Sequence, residues 1–361
     1  MRIFFSVALI FSLIISSVVG SNAQSAGQGR APASTTGTVK TRATPKKAPS
    51  RTAADELVVI LPASNLIAVV DVGRAFNDLL PKLAGLTVGG VDKLAKSIQD
   101  FTQKTGIDPS RIQTAVIGVS MDGPQGTGVV IIQGIDPNPQ QIEAVMKELG
   151  SEFNTSDYKG KTIYNVLSKA KSPSAGTFSL KTDELALTAL GGQRVALGDM
   201  KVVKQVIDIQ SGAAKGGVSA AMSGALNETR ASALVRFALN IPESLRAEAA
   251  NQGDLFKSVA AVKMILGTFD VAGDLGLSLD ALIRTASQND ATELENGLKG
   301  LIALGKDIFG SGDPKTNLIS QLLDQVKIGS KVNDVGVSIS LPRALLEQLT
   351  KKETSPPAEK K

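Results

Sequence analysis

The sequence predicts an α+β fold, built as two similar halves of largely antiparallel sheet with helices packed on one face. Three observations lead there. Strand-like runs come in consecutive pairs joined by short polar loops, which suits hairpins better than strand–helix–strand crossovers. Stretches with apolar residues at helical spacing separate those pairs. The order strand, helices, hairpin, helix that starts near Leu66 begins again near Leu234, as an internal duplication would.

Taken in order, the chain opens with Arg2, an apolar run from Ile3 to Val19, and small residues at Ser21 and Ala23. That layout reads as a signal peptide over 1–23, cleaved after Ala23, which would send the protein to the periplasm or outside the cell. A retained anchor is the alternative, but 17 residues that include four serines are short for a bilayer span. Residues 24–54 hold Ser, Thr, Ala, Gly, Pro and basic side chains, with Val39 the only larger apolar one, and predict a disordered basic linker. LVVIL (Leu57–Leu61) and LIAVVDV (Leu66–Val72) predict two strands around a tight connection. A helix is predicted near Ala75–Leu83. A second carries Val91, Leu94, Ala95, Ile98 and Phe101 on one face and ends at Gly106. The strands TAVIGVSM and TGVVIIQGI follow around DGPQG, then the helix QQIEAVMKELG. Strands around KTIYNVL, GTFSLKT, ELALTAL and RVALGD and the helix MKVVKQVIDIQSG complete a first half over 55–211.

Residues 212–224, rich in Gly, Ala and Ser, read as a connecting segment before a second half over 225–350. That half predicts a strand in ASALVRFALNI, then helices near Glu243–Ala250 and Leu255–Met264. The pair LGTFDVAG and DLGLSLDALIR reads as a hairpin, and a long helix runs from Ala291 to Phe309. The helix NLISQLLDQV, the strand DVGVSISL and a helix from Pro342 to Lys351 close it, and 351–361 predict a disordered tail.

Gly-Ile-Asp-Pro occurs twice, at Gly106–Pro109 and Gly134–Pro137, 28 residues apart. A calcium loop needs oxygen ligands at alternating positions, which neither copy supplies. The repeats read instead as punctuation. Gly106 closes a helix and Asp108 turns the chain; Gly134 ends a strand and Asp136 caps the next helix. The DGPQG loop joins strand to strand and lacks a following Lys, so it reads as a hairpin loop and not a phosphate cradle.

There is no His and no Cys. Ser-His-Asp triads, thiol nucleophiles, His-based zinc sites and iron–sulfur ligation are therefore excluded. A cysteine-free chain with an export signal also reads as bacterial. Ser-x-x-Lys occurs at Ser156–Lys159 and Ser168–Lys171, with Lys104-Thr105-Gly106 as the other element of penicillin-recognising enzymes. Ser-Asp-Asn is missing, and both hits lie in polar stretches flanking a strand, so they read as chance. Asp270 with Asp274 or Asp280 could form a hydrolytic carboxylate pair, but a chain with two Tyr and no Trp lacks sugar platforms. These acids read as solvated strand and turn residues. Asp71, ending an apolar strand, is the acid to check for burial. The sequons at Asn154 and Asn227 read as coincidence. No residue is assigned as catalytic, cofactor-binding or metal-ligating, and no cofactor is expected.

The net charge of +5 belongs to the ends. Residues 1–54 carry seven basic side chains and no acid, and 351–361 add +2, which leaves −4 for 55–350. Nucleic acid is therefore not an expected partner, while the basic tails suit weak contact with an anionic surface.

LPASNLIAVVDVGRAFNDLLPKL, TGIDPSRI, GIDPNPQQIE, YKGKTIYNV, GGQRVALGD and the closing LLDQVKIGSKVNDVGVSISLPRALLEQL together resemble an uncharacterised class of exported bacterial α+β proteins. The resemblance implies export and an α+β fold and supplies no catalytic residues. The expected role is that of a non-enzymatic envelope protein that binds or scaffolds an unknown partner. The alternatives are a carrier of an apolar, lipid-like ligand held between sheet and helices, and a carboxylate-dependent hydrolase. An aliphatic cavity would favour the carrier, converging acids the hydrolase, and an exposed apolar patch the scaffold.

Overall fold

The computed structural model describes residues 53–84, 91–121, 126–149, 152–166, 185–251, 260–309, 314–345 and 348. The signal segment, the linker up to residue 52, most of DGPQG, the strand expected in GTFSLKT, Ser168–Lys171 and the tail lie outside the described residues. The strands are β1 (Leu66–Asp71), β2 (Thr114–Ser120), β3 (Thr127–Gln133), β4 (Phe153–Tyr158), β5 (Lys161–Val166) and β6 (Leu185–Ala189). They continue as β7 (Arg194–Asp199), β8 (Val235–Asn240), β9 (Val262–Val271), β10 (Leu277–Thr285), β11 (Val326–Lys331) and β12 (Asp334–Leu341). All twelve form one sheet in the order β11-β12-β10-β9-β8-β1-β2-β3-β7-β6-β5-β4. Every neighbouring pair is antiparallel. The fold is α+β.

β1 and β8 meet at a central seam, with Ala68 opposite Phe237. From that seam β2 and β3 run outward on one side, β9 and β10 on the other. The helices are α1 (Ala53–Val59), α2 (Val72–Arg74), α3 (Leu80–Ala84), α4 (Val91–Thr105) and α5 (Pro139–Leu149). After them come α6 (Met200–Gln210), α7 (Ala220–Glu228), α8 (Glu243–Ala250), α9 (Gln288–Phe309) and α10 (Pro314–Asp324). A π-helical turn, Ala75–Leu79, links α2 to α3.

The helices lie on both faces of the sheet, not on one as the sequence suggested. Strand periodicity explains why: successive side chains point to opposite faces. Ile67, Val69, Val116, Val129 and Ile131 pack on one side with Leu57 and Val58 of α1, Val203 and Val206 of α6, and Leu226 of α7. Val70, Ala115 and Ile132 point the other way, onto Val72 and Leu79. That second face continues under Met146 of α5, which packs with Val195 and Leu197. Near the other end it meets Ala291 and Leu294 of α9, packed with Val335. Strands that are apolar on both sides need cover on both sides.

Two elements differ in type from expectation. LVVIL belongs to a helix and the turn that ends it. Leu57 and Leu61 are fully buried and Val58 nearly so, while Val59 is 47% exposed, which is helical spacing. No ladder position was open to a strand there, because β2 and β8 already occupy both edges of β1. The helix expected to reach Met264 gives way to β9, whose Val262, Met264 and Leu266 are buried around an exposed Lys263. Residues 255–259 of that expected helix lie outside the described residues.

The two Gly-Ile-Asp-Pro copies are local punctuation, and they touch. Gly106 ends α4 at φ 68°, and Asp108 accepts from the Ser110 amide at 2.9 Å, capping a 3₁₀ turn over Pro109–Arg111. Gly134 has φ 115°, and a Cβ there would lie 2.3 Å from the Arg111 carbonyl oxygen. The cap of α5 is Asn138, not Asp136. Asn138 and Gln141 exchange hydrogen bonds at 2.9 and 3.0 Å in a capping box, because Pro139 and not Pro137 takes the first helical position. Gln141 then donates to the Gly106 carbonyl at 2.6 Å, tying the second copy to the first.

The Gly-rich residues after α6 pack closely against the α1–β1 connection. Gly217 donates its amide to the Leu61 carbonyl at 3.1 Å, and a Cβ on it would sit 2.1 Å from the Ala63 nitrogen. Gly224 in α7 has open space where its Cβ would be. Gly217→Ala is therefore expected to lose about 1–3 kcal/mol in urea denaturation through overpacking. Gly224→Ala is expected to gain about 0.5–1 kcal/mol from reduced chain entropy.

Candidate functional site

α6 is built with two unlike faces. Asp199 caps its start by accepting from the Lys201 amide at 2.9 Å, and Val202, Val203, Val206 and Ile207 turn into the core. Lys201, Gln205 and Asp208, at i, i+4 and i+7, consequently share the outer face. That face forms one wall of a groove of about 450 Å³. Pro62–Ser64 and the ends of β2 and β3, at Gly118, Ser120 and Thr127, form the facing wall and floor. Ala214, Lys215 and Gly217 close one side. Gly118 keeps the floor low: a Cβ there would lie 2.7 Å from the Ser64 Oγ.

The groove lining mixes polar and apolar residues, and two lysines, Lys201 and Lys215, belong to it. Asp208 accepts from the Tyr158 hydroxyl at 3.0 and 3.1 Å and pairs with Lys159 Nζ at 2.6 Å. The Lys159 hydrogen bond holds the Asp208 carboxyl below its ordinary range. The same contact holds the Lys159 ammonium above its usual value, and donation to Asp208 does likewise for the Tyr158 phenol. Lys159 and Lys204 also stand 5.7 and 5.5 Å from the Tyr158 ring centre. Among the described residues, neither Lys201 nor Lys215 has a carboxylate within 4.0 Å. Lys201 and Lys215 thus line a groove whose Asp208 is already paired with Lys159, in a body whose net charge over 55–350 is −4.

The sequence candidates are not brought together. Ser156 is exposed on β4, while Lys159 sits in the β4–β5 turn at φ 49° and is committed to Asp208 as a cation, the wrong state for a base. Lys104 pairs with Glu148 at 3.0 Å, and Thr105 donates to the Phe101 carbonyl, so Lys104-Thr105-Gly106 is a helix end and not a strand. Asp270 is held between Arg74 at 2.7 Å and Arg230 at 3.2 Å. Asp274 accepts from the Gly276 amide in the β9–β10 turn, and Asp280 is exposed opposite Thr268. Asp71 is half-buried and caps α2 by accepting from the Arg74 amide at 2.9 Å. Asn154 and Asn227 are exposed.

None of the groove residues was singled out from the sequence. The polar spacing on α6 was readable, but the approach of the 62–64 and 214–217 loops over it was not. A second feature escaped in part. The stripe Leu294, Leu298 and Ile302 of α9 turns inward, whereas Leu301, Leu304 and Ile308 form a parallel stripe 43%, 40% and 54% exposed. No helix among the described residues is long and apolar enough to cross a membrane.

No family model and no curated protein matches the chain. Among solved structures, crystal form I of TP0453 is similar over 83% of this chain and 97% of its own, at 8% identity and a TM-score of 0.41. Crystal form III of TP0453 is similar over 80% of this chain and 96% of its own, at 8% identity and a TM-score of 0.43. At that level the likeness carries no argument about function.

The Asp208 pair gives a spectroscopic expectation. Tyr158 and Tyr164 are the only tyrosines and there is no Trp, so phenolate absorbance reports on these two groups. Both should ionise above the ordinary value near 10, Tyr158 through its bond to Asp208 and Tyr164 through burial. Asp208→Asn should bring one of the two transitions down and leave the other in place. Because the Asp208 pKa is lowered by folding, the contribution of its pair to stability is complete at neutral pH and is lost on acidification through that pKa.

Proposed function

We propose that this is an exported, non-enzymatic binding protein that holds a small polar ligand in the groove beside α6. The observation that carries the reading is the character of the lining. Hydroxyls from Ser64, Ser120 and Thr127, the Gln205 amide and the ammonium groups of Lys201 and Lys215 meet in one concavity of ligand size. Asp208, the one acid among the described lining residues, is already satisfied by Lys159 and Tyr158. A lining that carries Lys201, Lys215 and Asp208 does not suit a wholly apolar, lipid-like cargo, and the dispersed acids do not suit a two-carboxylate hydrolase. Export rests on the Arg2, apolar-run and Ala23 layout of the N-terminal residues. The exposed stripe Leu301–Leu304–Ile308 favours a second reading, scaffolding through α9.

Gln205 is exposed on α6, so Gln205→Trp fills the groove without touching the core. Native mass spectrometry of the wild-type protein purified from its own envelope should show a small-molecule adduct that Gln205→Trp loses at an unchanged melting temperature. The same adduct on both proteins, or none on either, would remove the basis for this reading.

A further inference from the structure

We infer that the groove ligand carries a phosphate group. The inference rests on the groove-binding reading and adds a chemical class to it.

Lys159 is neutralised by Asp208 at 2.6 Å, so it adds nothing net to the groove. Lys201 and Lys215 line the groove with no described carboxylate within 4.0 Å, and Lys204 stands one helical turn from Lys201. Like charges gathered around a concavity raise its potential and draw in the opposite sign. The surrounding body is net acidic over 55–350, so this basic patch runs against the overall balance.

The donor geometry narrows the anion. Ser64 already donates its hydroxyl to the Pro62 carbonyl at 3.0 Å and presents acceptor lone pairs only. The Thr127 hydroxyl, the Gln205 amide and the two ammonium groups come from three separate segments: β3, α6 and the loop after α6. Donors spread around a space suit a tetrahedral oxyanion, whose oxygens point in several directions, better than a planar carboxylate. A planar carboxylate is matched best by the two-pronged fork of Arg, and no Arg is among the described residues that line the groove. Lys serves phosphate as a mobile point charge.

The phosphate could belong to a soluble ester or to a lipid headgroup, and two probes separate these sources. Inorganic phosphate is titrated calorimetrically into the full-length protein and into Lys201→Gln/Lys215→Gln. Co-sedimentation with phosphatidylglycerol–phosphatidylcholine vesicles is measured for the same pair, with pure phosphatidylcholine as reference. Both proteins keep the same basic tails, so tail contacts cancel in the comparison. Charged hydrogen bonds of this kind predict a loss of about tenfold or more in affinity for the double variant.

Loss in the phosphate titration supports a soluble ester, and loss only with anionic vesicles supports a headgroup. Binding that is equal in both proteins, or absent from the wild type with both probes, overturns the assignment. The groove reading fails separately. An adduct lost by Gln205→Trp but kept by the double lysine variant would leave the groove standing and refute the phosphate.

Discussion

Leu66 to Val70 of β1 are all buried, and their side chains alternate between the two faces of the sheet. Both backbone edges of the strand are also taken, by β2 and β8. A strand in that position has no solvent-facing side on which polar residues could alternate, so each face must be roofed by something apolar. α1, α6 and α7 roof one face, and the helical run after β1 roofs the other. Each fully buried Val, Leu or Ile contributes about 1.5–3 kcal/mol, so the preference for a two-sided cover is strong. The position of α6 follows from this requirement, and the groove lies on the outer side of the same helix.

Much of this fold was legible in the sequence, and the illegible parts have a common cause. The strands that alternation failed to reveal, β4 and β11, are the two outermost strands of the sheet. Among the described residues each has one ladder partner, and all of their residues are exposed or half-buried. Asn154, Thr155, Ser156 and Asp157 in β4, and Lys327 and Lys331 in β11, give no apolar period to detect. Polar and lysine-bearing edges are also how sheets avoid pairing with other chains. α1 failed for another reason. LVVIL is compatible with strand or helix over so short a run, and only the occupancy of both β1 edges decides between them.

The groove was less legible than the fold because it depends on contacts distant in sequence. Its walls come from residues 62–64, 118–127 and 201–217, and periodicity within any one segment says nothing about their meeting. Lys159 shows the same limit. In the sequence it completes a Ser-x-x-Lys pattern with Ser156; in space its partner is Asp208, an element away. The acids behaved more simply. Asp71, Asp108 and Asp199 each accept a backbone amide at the start of a helical turn, the role their short side chains favour. Asp136 lost that role only because a second proline moved the helix start.

The seam between β1 and β8 also has a bearing on how the chain matures. Residues that face each other there are far apart along the polypeptide, and β1 must wait for β8 before its second edge is filled. A chain emerging from the ribosome N-terminus first therefore carries an unfilled, strongly apolar strand throughout synthesis of its first half. Closing so distant a contact is slow in comparison with local hairpins. The middle of the sheet therefore stays open until the C-terminal half has been made, and the order of synthesis sets the order of closure.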